Sequence, residues 1–170
     1  ILWRNDTSGA NAIWQSANSA QGQNIDAISD LNWNVAAVAD YNADGVTDIL
    51  WRNTSTGANI IWQSANSHTA QAVSAVGDPN WSLPGQTNTW SEVSAPPAPV
   101  SQPSAFDLNG DGKSDLVWRN TSSGVNAIWN SADANSGQSI FNVSDTNWKI
   151  AAIADFDADA KADILWRNAS

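Results

Sequence analysis

Polar and apolar positions alternate in short runs, and each run is closed by a cluster of Asn, Asp, Ser, Thr or Gly. This is the signature of strands and turns, and no window supports a long amphipathic helix. Ile49-Leu50-Trp51-Arg52 reads as a strand. The turn Asn53-Thr54-Ser55-Thr56-Gly57 follows, and its glycine can take the positive φ that a hairpin needs; Gly9 and Gly124 stand at the matching places. Asn59 to Trp62 is the return strand, and Ala70 to Val76 alternates weakly. Trp33 to Ala39 carries small or β-branched residues on both faces (Val35, Ala36, Ala37, Val38), which suits an inner strand packed on both sides.

The pattern repeats. Leu-Trp-Arg-Asn begins at Leu2 and returns at Leu50, Val117 (with Val for Leu) and Leu165, so that Trp3, Trp51, Trp118 and Trp166 are spaced 48, 67 and 48 residues apart. Two further series, Trp14, Trp62, Trp129 and Trp33, Trp81, Trp148, show the same 48 and 67. The period is therefore 48, with a 19-residue insertion in one copy. That segment, about residues 84–104, holds five of the six prolines and predicts a stiff extended loop grown out of the second repeat.

The predicted fold class is all-β, with β-propeller-like blades of about four antiparallel strands; a stacked β-solenoid is the alternative. The chain reads as one repeat domain over 1–170: repeat 1 about 1–48, repeat 2 about 49–115, repeat 3 about 116–163, and an extra strand at 164–170. Three blades fall short of the usual minimum of about four for a closed propeller. The expectation is either neighbouring repeats of a longer chain or self-association, with the extra strand donated to a partner's sheet.

Composition narrows the function. Tryptophan supplies 11 residues against 3 Phe, 1 Tyr and no Met, as a Trp-bearing repeat would. The absence of Cys excludes disulfides, thiolate catalysis and Cys-based zinc sites. A formal net charge of −10 argues against nucleic acid and anionic membrane as partners. No apolar run reaches membrane-spanning length and no signal peptide is visible; the sequence opens in mid-repeat.

An acidic loop precedes three of the Trp-Arg-Asn strands. In order they are Asp40-Tyr-Asn42-Ala-Asp44-Gly45-Val46-Thr-Asp48, Asp107-Leu-Asn109-Gly-Asp111-Gly112-Lys113-Ser-Asp115 and Asp155-Phe-Asp157-Ala-Asp159-Ala160-Lys161-Ala-Asp163. Oxygen side chains stand at positions one, three, five and nine, and Gly at six in two of the three. Short Asp and Asn chains on alternate residues of a tight loop can converge on one point. The backbone carbonyl of position seven (Val46, Lys113 or Lys161) can add a further ligand. Ca²⁺ takes about six to eight such oxygens, whereas Mg²⁺ prefers to keep several waters. The loops gather ten of the 17 acidic residues, which would repel one another without a counter-ion. About three Ca²⁺ per chain are expected. An EF-hand does not fit, because its twelfth position needs a bidentate Glu and here holds Trp51, Trp118 and Trp166. The bland alternative is three polar Asx-type turns.

The run from Trp33 through Asp40, Asn42, Asp44, Gly45 and Asp48 to Asn53 resembles the bacterial FG-GAP or VCBS repeat. The resemblance covers all of the chain except the Pro-rich segment. It implies propeller blades, as in integrin α-subunit heads and some fungal lectins, and calcium held by the loop. Carried over by position, the ligands are Asp40, Asn42, Asp44, the Val46 carbonyl and Asp48, then Asp107, Asn109, Asp111, the Lys113 carbonyl and Asp115, and finally Asp155, Asp157, Asp159, the Lys161 carbonyl and Asp163. Ala160 departs from the pattern and adds strain if that residue must be left-handed.

Other residues have structural readings. Arg4, Arg52, Arg119 and Arg167, the only arginines, are expected to stack on Trp or pair with loop Asp, and the Trp series to pack within and between repeats. Off the pattern, Trp90 is a candidate exposed aromatic. His68, the single histidine, has no visible Ser or Asp recruiting it into a triad, and the Asp clusters are explained by metal, so no enzyme is expected. Sequons at Asn5, Asn53, Asn120, Asn142 and Asn168 read as by-products of the hairpin. The expected function is a secreted or surface-exposed calcium-stabilised module for adhesion, scaffolding or self-assembly. A lectin holding glycan between repeats is the alternative, and an accessory module of a larger secreted enzyme is the third reading; a glycan or surface protein is a possible partner.

Overall fold

A computed structural model describes residues 1–84 and 105–170; Trp90 and the Pro-rich segment from 85 onward lie outside the described residues. Thirteen strands form four sheets, all paired antiparallel in sequence order. The first sheet has three strands, β1 (Leu2–Arg4), β2 (Asn11–Trp14) and β3 (Gly22–Ile25). The second has four: β4 (Trp33–Ala39), β5 (Asp48–Asn53), β6 (Asn59–Trp62) and β7 (Ala70–Val73). The third also has four: β8 (Trp81–Ser82), β9 (Leu116–Asn120), β10 (Asn126–Trp129) and β11 (Gly137–Ile140). The fourth has two, β12 (Trp148–Ala154) and β13 (Asp163–Asn168). The chain is thus all-β with blade-like meanders. The only helical pieces among the described residues are three-residue 3₁₀ turns between the last two strands of the first, second and third sheets. No helix among them is long and apolar enough to cross a membrane.

The second, third and fourth sheets open with the Trp33-type strand, so the sheet unit is out of phase with the repeat counted from Trp-Arg-Asn. In the second and fourth sheets the strand that precedes the acidic loop is bulged. Val35 pairs with Trp51 and Ala37 with Leu50, leaving Ala36 unpaired between them, and the same shift recurs between Ile150 and Ala152. A bulge bends the strand where it feeds the loop.

Hairpin geometry follows the turn chemistry. Asn53 Oδ1 accepts from the N–H groups of Ser55 and Thr56, and Asn120 Oδ1 from those of Ser122 and Ser123. The turn closes on Gly57 and Gly124, both at φ +74°. A Cβ on Gly124 would lie 2.1 Å from the Val143 carbonyl oxygen, so the position needs glycine for space as well as for φ. The amides of Asn53 and Asn120 also donate to Asp30 and Asp78, and both asparagines are buried. These two sequons are therefore spent on the turn.

The core lies between sheets. Leu50, Ile61, Leu116, Val117, Ile128, Ile150 and Ile153 form one cluster across the second, third and fourth sheets, and Ile49, Trp51 and Trp62 form another that the first sheet covers with Leu2 and Ile25. Within each of the first three sheets the Trp of the second blade strand packs on that of the third: Trp3 on Trp14, Trp51 on Trp62 and Trp118 on Trp129, at 5.0–5.1 Å.

Arginine joins one sheet to the next. Arg4 lies over Trp51, Arg52 over Trp118 and Arg119 over Trp166, at 4.9–5.1 Å from the ring centroid. On its own sheet each guanidinium donates to the hairpin glycine carbonyl and to a buried Asn of the next strand. Arg52 reaches Gly57 and Asn59; Arg119 reaches Gly124 and Asn126. A second nitrogen reaches a carbonyl of the segment leading to the next sheet, Val76 or Val143. Arg4, Arg52 and Arg119 therefore stack on Trp, as expected, and in doing so clamp one repeat to the next. Asn11, Asn59 and Asn126, which complete the clamp, escape the sequence reading although they recur seven residues after each Arg.

Candidate metal centres

The three acidic loops connect the first two strands of the second, third and fourth sheets and stack at one end of them. The Ser114 N–H donates to the Asp40 carbonyl (2.8 Å) and the Ala162 N–H to the Asp107 carbonyl (2.6 Å), so each loop is bonded to the next.

Within a loop the first carboxylate organises the turn. Asp40 accepts from the N–H groups of Ala43 (2.7 Å) and Gly45 (2.9 Å), Asp107 from Gly110 and Gly112, and Asp155 from Ala158 and Ala160. Position three accepts from the N–H of position five (Asn42 from Asp44, Asn109 from Asp111, Asp157 from Asp159). Position five accepts from the N–H of position seven, at Val46, Lys113 and Lys161. Each loop is a nested set of Asx turns that holds its oxygens on one side.

The third loop carries three carboxylates at positions one, three and five. One oxygen each from Asp155, Asp157 and Asp159 lie within 4.8 Å of one another, all exposed. The equivalent places in the other loops hold two carboxylates and an Asn, Asp40, Asn42 and Asp44, then Asp107, Asn109 and Asp111, in the same hydrogen-bond pattern. A carboxylate oxygen that accepts one N–H keeps a second lone pair, so this arrangement leaves donors for a cation.

Position nine is different. Asp48 and Asp115 are fully buried. Asp48 accepts from the N–H groups of Tyr41 (2.9 Å) and Ser64 (2.8 Å), and Asp115 from those of Leu108 (2.9 Å) and Ser131 (2.8 Å). It ties the loop to the turn after the third strand. The serine hydroxyls reach back to position five, Ser64 to Asp44 and Ser131 to Asp111. Ser64 and Ser131 were not among the residues expected at the site; their signal is the recurring Trp-Gln-Ser-Ala or Trp-Asn-Ser-Ala after each third strand. Asp163 accepts from Phe156 (3.0 Å), and among the described residues no serine N–H reaches it.

Burial raises the pKa of Asp48 and of Asp115, and the neighbouring loop carboxylates raise it further against the backbone bonds. Asp44 moves the other way, lowered by the Asn42 amide, the Val46 N–H and the Ser64 hydroxyl. Burial also pushes the Tyr41 phenol up, with the Asp48 charge adding to it. A buried carboxylate whose charge is disfavoured by its neighbours is one that a nearby cation would relieve.

Replacing Asp115 by Ala strands the Leu108 and Ser131 N–H groups. The expected cost is about 2–3 kcal/mol, at roughly 1–3 kcal/mol per orphaned group less the relief of the buried charge. Urea unfolding in chelator reads it. Asp111→Ala removes an exposed carboxylate and leaves stability in chelator nearly unchanged.

Loop strain is graded. Positions four and six are both left-handed: Ala43 and Gly45 in the first loop, Gly110 and Gly112 in the second, Ala158 (φ +64°) and Ala160 (φ +68°) in the third. The strain anticipated at Ala160 is present, and Ala158 doubles it. Ala160→Gly is expected to stabilise the protein by about 1 kcal/mol, since a left-handed non-glycine residue costs about 1–2 kcal/mol and glycine returns part of that as entropy. Thermal melts of the two proteins in chelator measure the difference.

The fold also brings partners to His68. Its Nδ1 lies 3.8 Å from Asp26 and 3.4 Å from Ser67 Oγ, and the Ser67 hydroxyl donates to Asp26. One ring nitrogen faces both neighbours, and His68 and Asp26 are open to water, so the geometry lacks the base-and-orienter sequence of a triad.

Residues 107–166 match the family model of the FG-GAP-like repeat. The matched segment runs from the second acidic loop through β9 to β12 and the third loop into β13. It is similar to an FG-GAP-like repeat in sequence and is a β-repeat in structure. Searches of curated proteins and of solved structures returned no match. The FG-GAP-like segment shares its loop, strand and hairpin pattern with residues 40–73, whose sheet has the same strand order and register.

Proposed function

We propose that this chain is a calcium-binding, calcium-stabilised β-repeat module that acts outside the cell in adhesion, scaffolding or self-assembly, and that it is not an enzyme. The convergence of Asp155, Asp157 and Asp159 within 4.8 Å, on a loop pattern that occurs three times, carries the reading. Positions one, three and five, with the carbonyls of Val46, Lys113 and Lys161, would hold the ion. Asp48, Asp115 and Asp163 at position nine either join them or brace them. Bound calcium would neutralise the loop carboxylates and couple metal binding to folding. The FG-GAP-like match and the density of oxygen donors favour Ca²⁺ over Mg²⁺. The test is a melt in calcium against chelator, and the same melting temperature in both would overturn the reading.

A lectin is the second reading. A cleft of about 330 Å³ between the second and third sheets is lined by Asn34, Arg52, Thr54 and Trp81, a mixture of aromatic and hydrogen-bonding groups suited to a sugar ring. Silence of the calcium-loaded protein on a glycan array would remove it.

A further inference from the structure

The dipeptide Asn-Gly occurs once in the chain, at Asn109-Gly110, positions three and four of the second acidic loop. The other loops carry Ala at position four, as Asn42-Ala43 and Asp157-Ala158. The difference bears on a reaction that needs no enzyme. The backbone nitrogen of the residue after an asparagine attacks the side-chain carbonyl carbon and expels ammonia. A Cβ on the attacking residue crowds that approach, and glycine has none.

The second loop holds the reacting groups together. Asn109 Oδ1 accepts from the Asp111 N–H (2.8 Å), which folds the side chain back over its own following peptide. Asn109 Nδ2 donates to Asp111 Oδ2 (3.2 Å) and keeps the amide in that place. The Gly110 N–H donates to Asp107 Oδ1 (2.7 Å), so the attacking nitrogen already leans on a carboxylate. Asn109 and Gly110 are both exposed to water. The first loop is a control within the same molecule. Asn42 Oδ1 accepts from the Asp44 N–H (3.0 Å), Asn42 Nδ2 donates to Asp44 (3.0 Å), and the Ala43 N–H donates to Asp40 (2.7 Å). The bonds match, but Ala43 brings a Cβ to the attacking position.

We infer that Asn109 is a site of spontaneous deamidation, open while the second loop is empty and closed while it holds calcium. The Gly110 nitrogen loses its proton to water and bonds Asn109 Cγ. The Cγ–Nδ2 bond breaks, and Nδ2 takes up a proton and leaves as ammonia. One water then opens the resulting succinimide at either carbonyl, giving aspartate or isoaspartate at position 109. The sum is one water consumed and one ammonia released, with a new carboxylate on the loop.

The gating rests on the calcium reading above, because the same atoms serve both processes. Asp107, Asn109 and Asp111 supply the oxygens assigned to the ion. Once they are ligands, the Asn109 amide is fixed by its oxygen and the Asp107 charge is neutralised. Deamidation changes the loop by either route. Aspartate gives the second loop the three carboxylates that the third has at Asp155, Asp157 and Asp159. Isoaspartate runs the main chain through Cβ, adds a carbon to a tight turn and removes the hold on the Asp111 N–H. The second loop thus records time spent without metal.

The test is to age the protein in calcium and in chelator, with circular dichroism reporting the fold in each. Peptide mass spectrometry with isoaspartate-sensitive fragmentation reads position 109. In chelator Asn109 should convert at least about tenfold faster than Asn42, since its attacking residue has no Cβ. With calcium about a hundredfold above Kd, roughly one loop in a hundred is empty, and the rate should fall about a hundredfold. Gly110→Ala should silence the site, and the fold accepts it, because Ala43 (φ +63°) and Ala158 (φ +64°) hold the same place in the other loops. Asp111→Asn keeps an oxygen facing the Asn109 amide but weakens the second loop for calcium. It should restore conversion in calcium while the first and third loops stay loaded, and so keeps the test intact where the chelated protein unfolds.

Calcium uptake on the same samples separates the two readings. A protein that binds calcium yet converts Asn109 equally with and without it sinks the gating alone. A protein that binds no calcium and still converts Asn109 ahead of Asn42 sinks the metal assignment and the gating with it, and leaves the modification site. Conversion of Asn109 no faster than Asn42 in chelator overturns the site itself.

Discussion

Raising free calcium to about a hundredfold above Kd is expected to lift the melting temperature by roughly 15–30 °C over that in chelator. A ligand that binds only the folded state adds about 2.7 kcal/mol per site at that excess. A chain of this size gains about 2–4 °C per kcal/mol. Three independent loops therefore give the range stated, with the third contributing least because its left-handed Ala158 and Ala160 are strained. The loops are nevertheless preformed, since the Asx turns hold the oxygens together through backbone N–H groups. Binding then spends little on ordering the chain and more on relieving repulsion among ten clustered carboxylates. Magnesium at the same concentration should raise the melting temperature less, because it retains its water. Scanning calorimetry of one sample in calcium, magnesium and chelator tests all three statements. A calcium shift confined to a few degrees would mean that the loops are ordinary turns.

Much of this was legible in the sequence because every repeat states the same local rule. The Trp33 to Ala39 strand matches β4 residue for residue, the Asn59 to Trp62 strand matches β6, and the hairpin glycines take the positive φ expected of them. What escaped was long-range. Asn59 reads in the sequence only as the first residue of the return strand, and only the fold shows it buried and bonded to Arg52. Ser64 is 16 residues from Asp48, and only the third strand's return to the same end of the sheet brings its N–H there. The phase of the repeat was illegible for the same reason. Spacing defines a period but not where a sheet begins, and the Trp33-type strand that opens the second, third and fourth sheets is placed only through pairing with the strand that follows its loop. Asp48 and Asp115 show the limit most clearly. By spacing they read as ligands like Asp40 or Asp44, and only the fold shows that each is also buried and accepts two N–H groups that tie the loop to its own sheet.

Arg119→Ala is expected to destabilise the protein by about 4 kcal/mol, the largest loss from any single arginine. Its guanidinium is buried and donates to the Gly124 carbonyl (3.3 Å), Asn126 Oδ1 (3.0 Å), the Val143 carbonyl (3.1 Å) and the Trp148 carbonyl (3.0 Å) while lying 4.9 Å over Trp166. Alanine would leave four acceptors without their donor in a space water enters poorly, at roughly 1–3 kcal/mol for each one fully orphaned. Loss of the ring contact adds about 0.5–2 kcal/mol. Burial itself lowers the Arg119 pKa against the pull of Asp145, so removing the charge returns part of the loss, and the net falls below the sum. Lysine keeps the charge but cannot present the planar fork that reaches the hairpin, the strand and the next sheet at once, so Arg119→Lys should recover less than half. Arg4→Ala should cost less than either, because Arg4 is only half-buried and water can replace it at Gly9 and Ile28. Equilibrium unfolding of the three variants in chelator, where bound metal contributes nothing, isolates the clamp. Equal losses at Arg4 and Arg119 would mean that the arginines act through surface charge and not as joints between sheets.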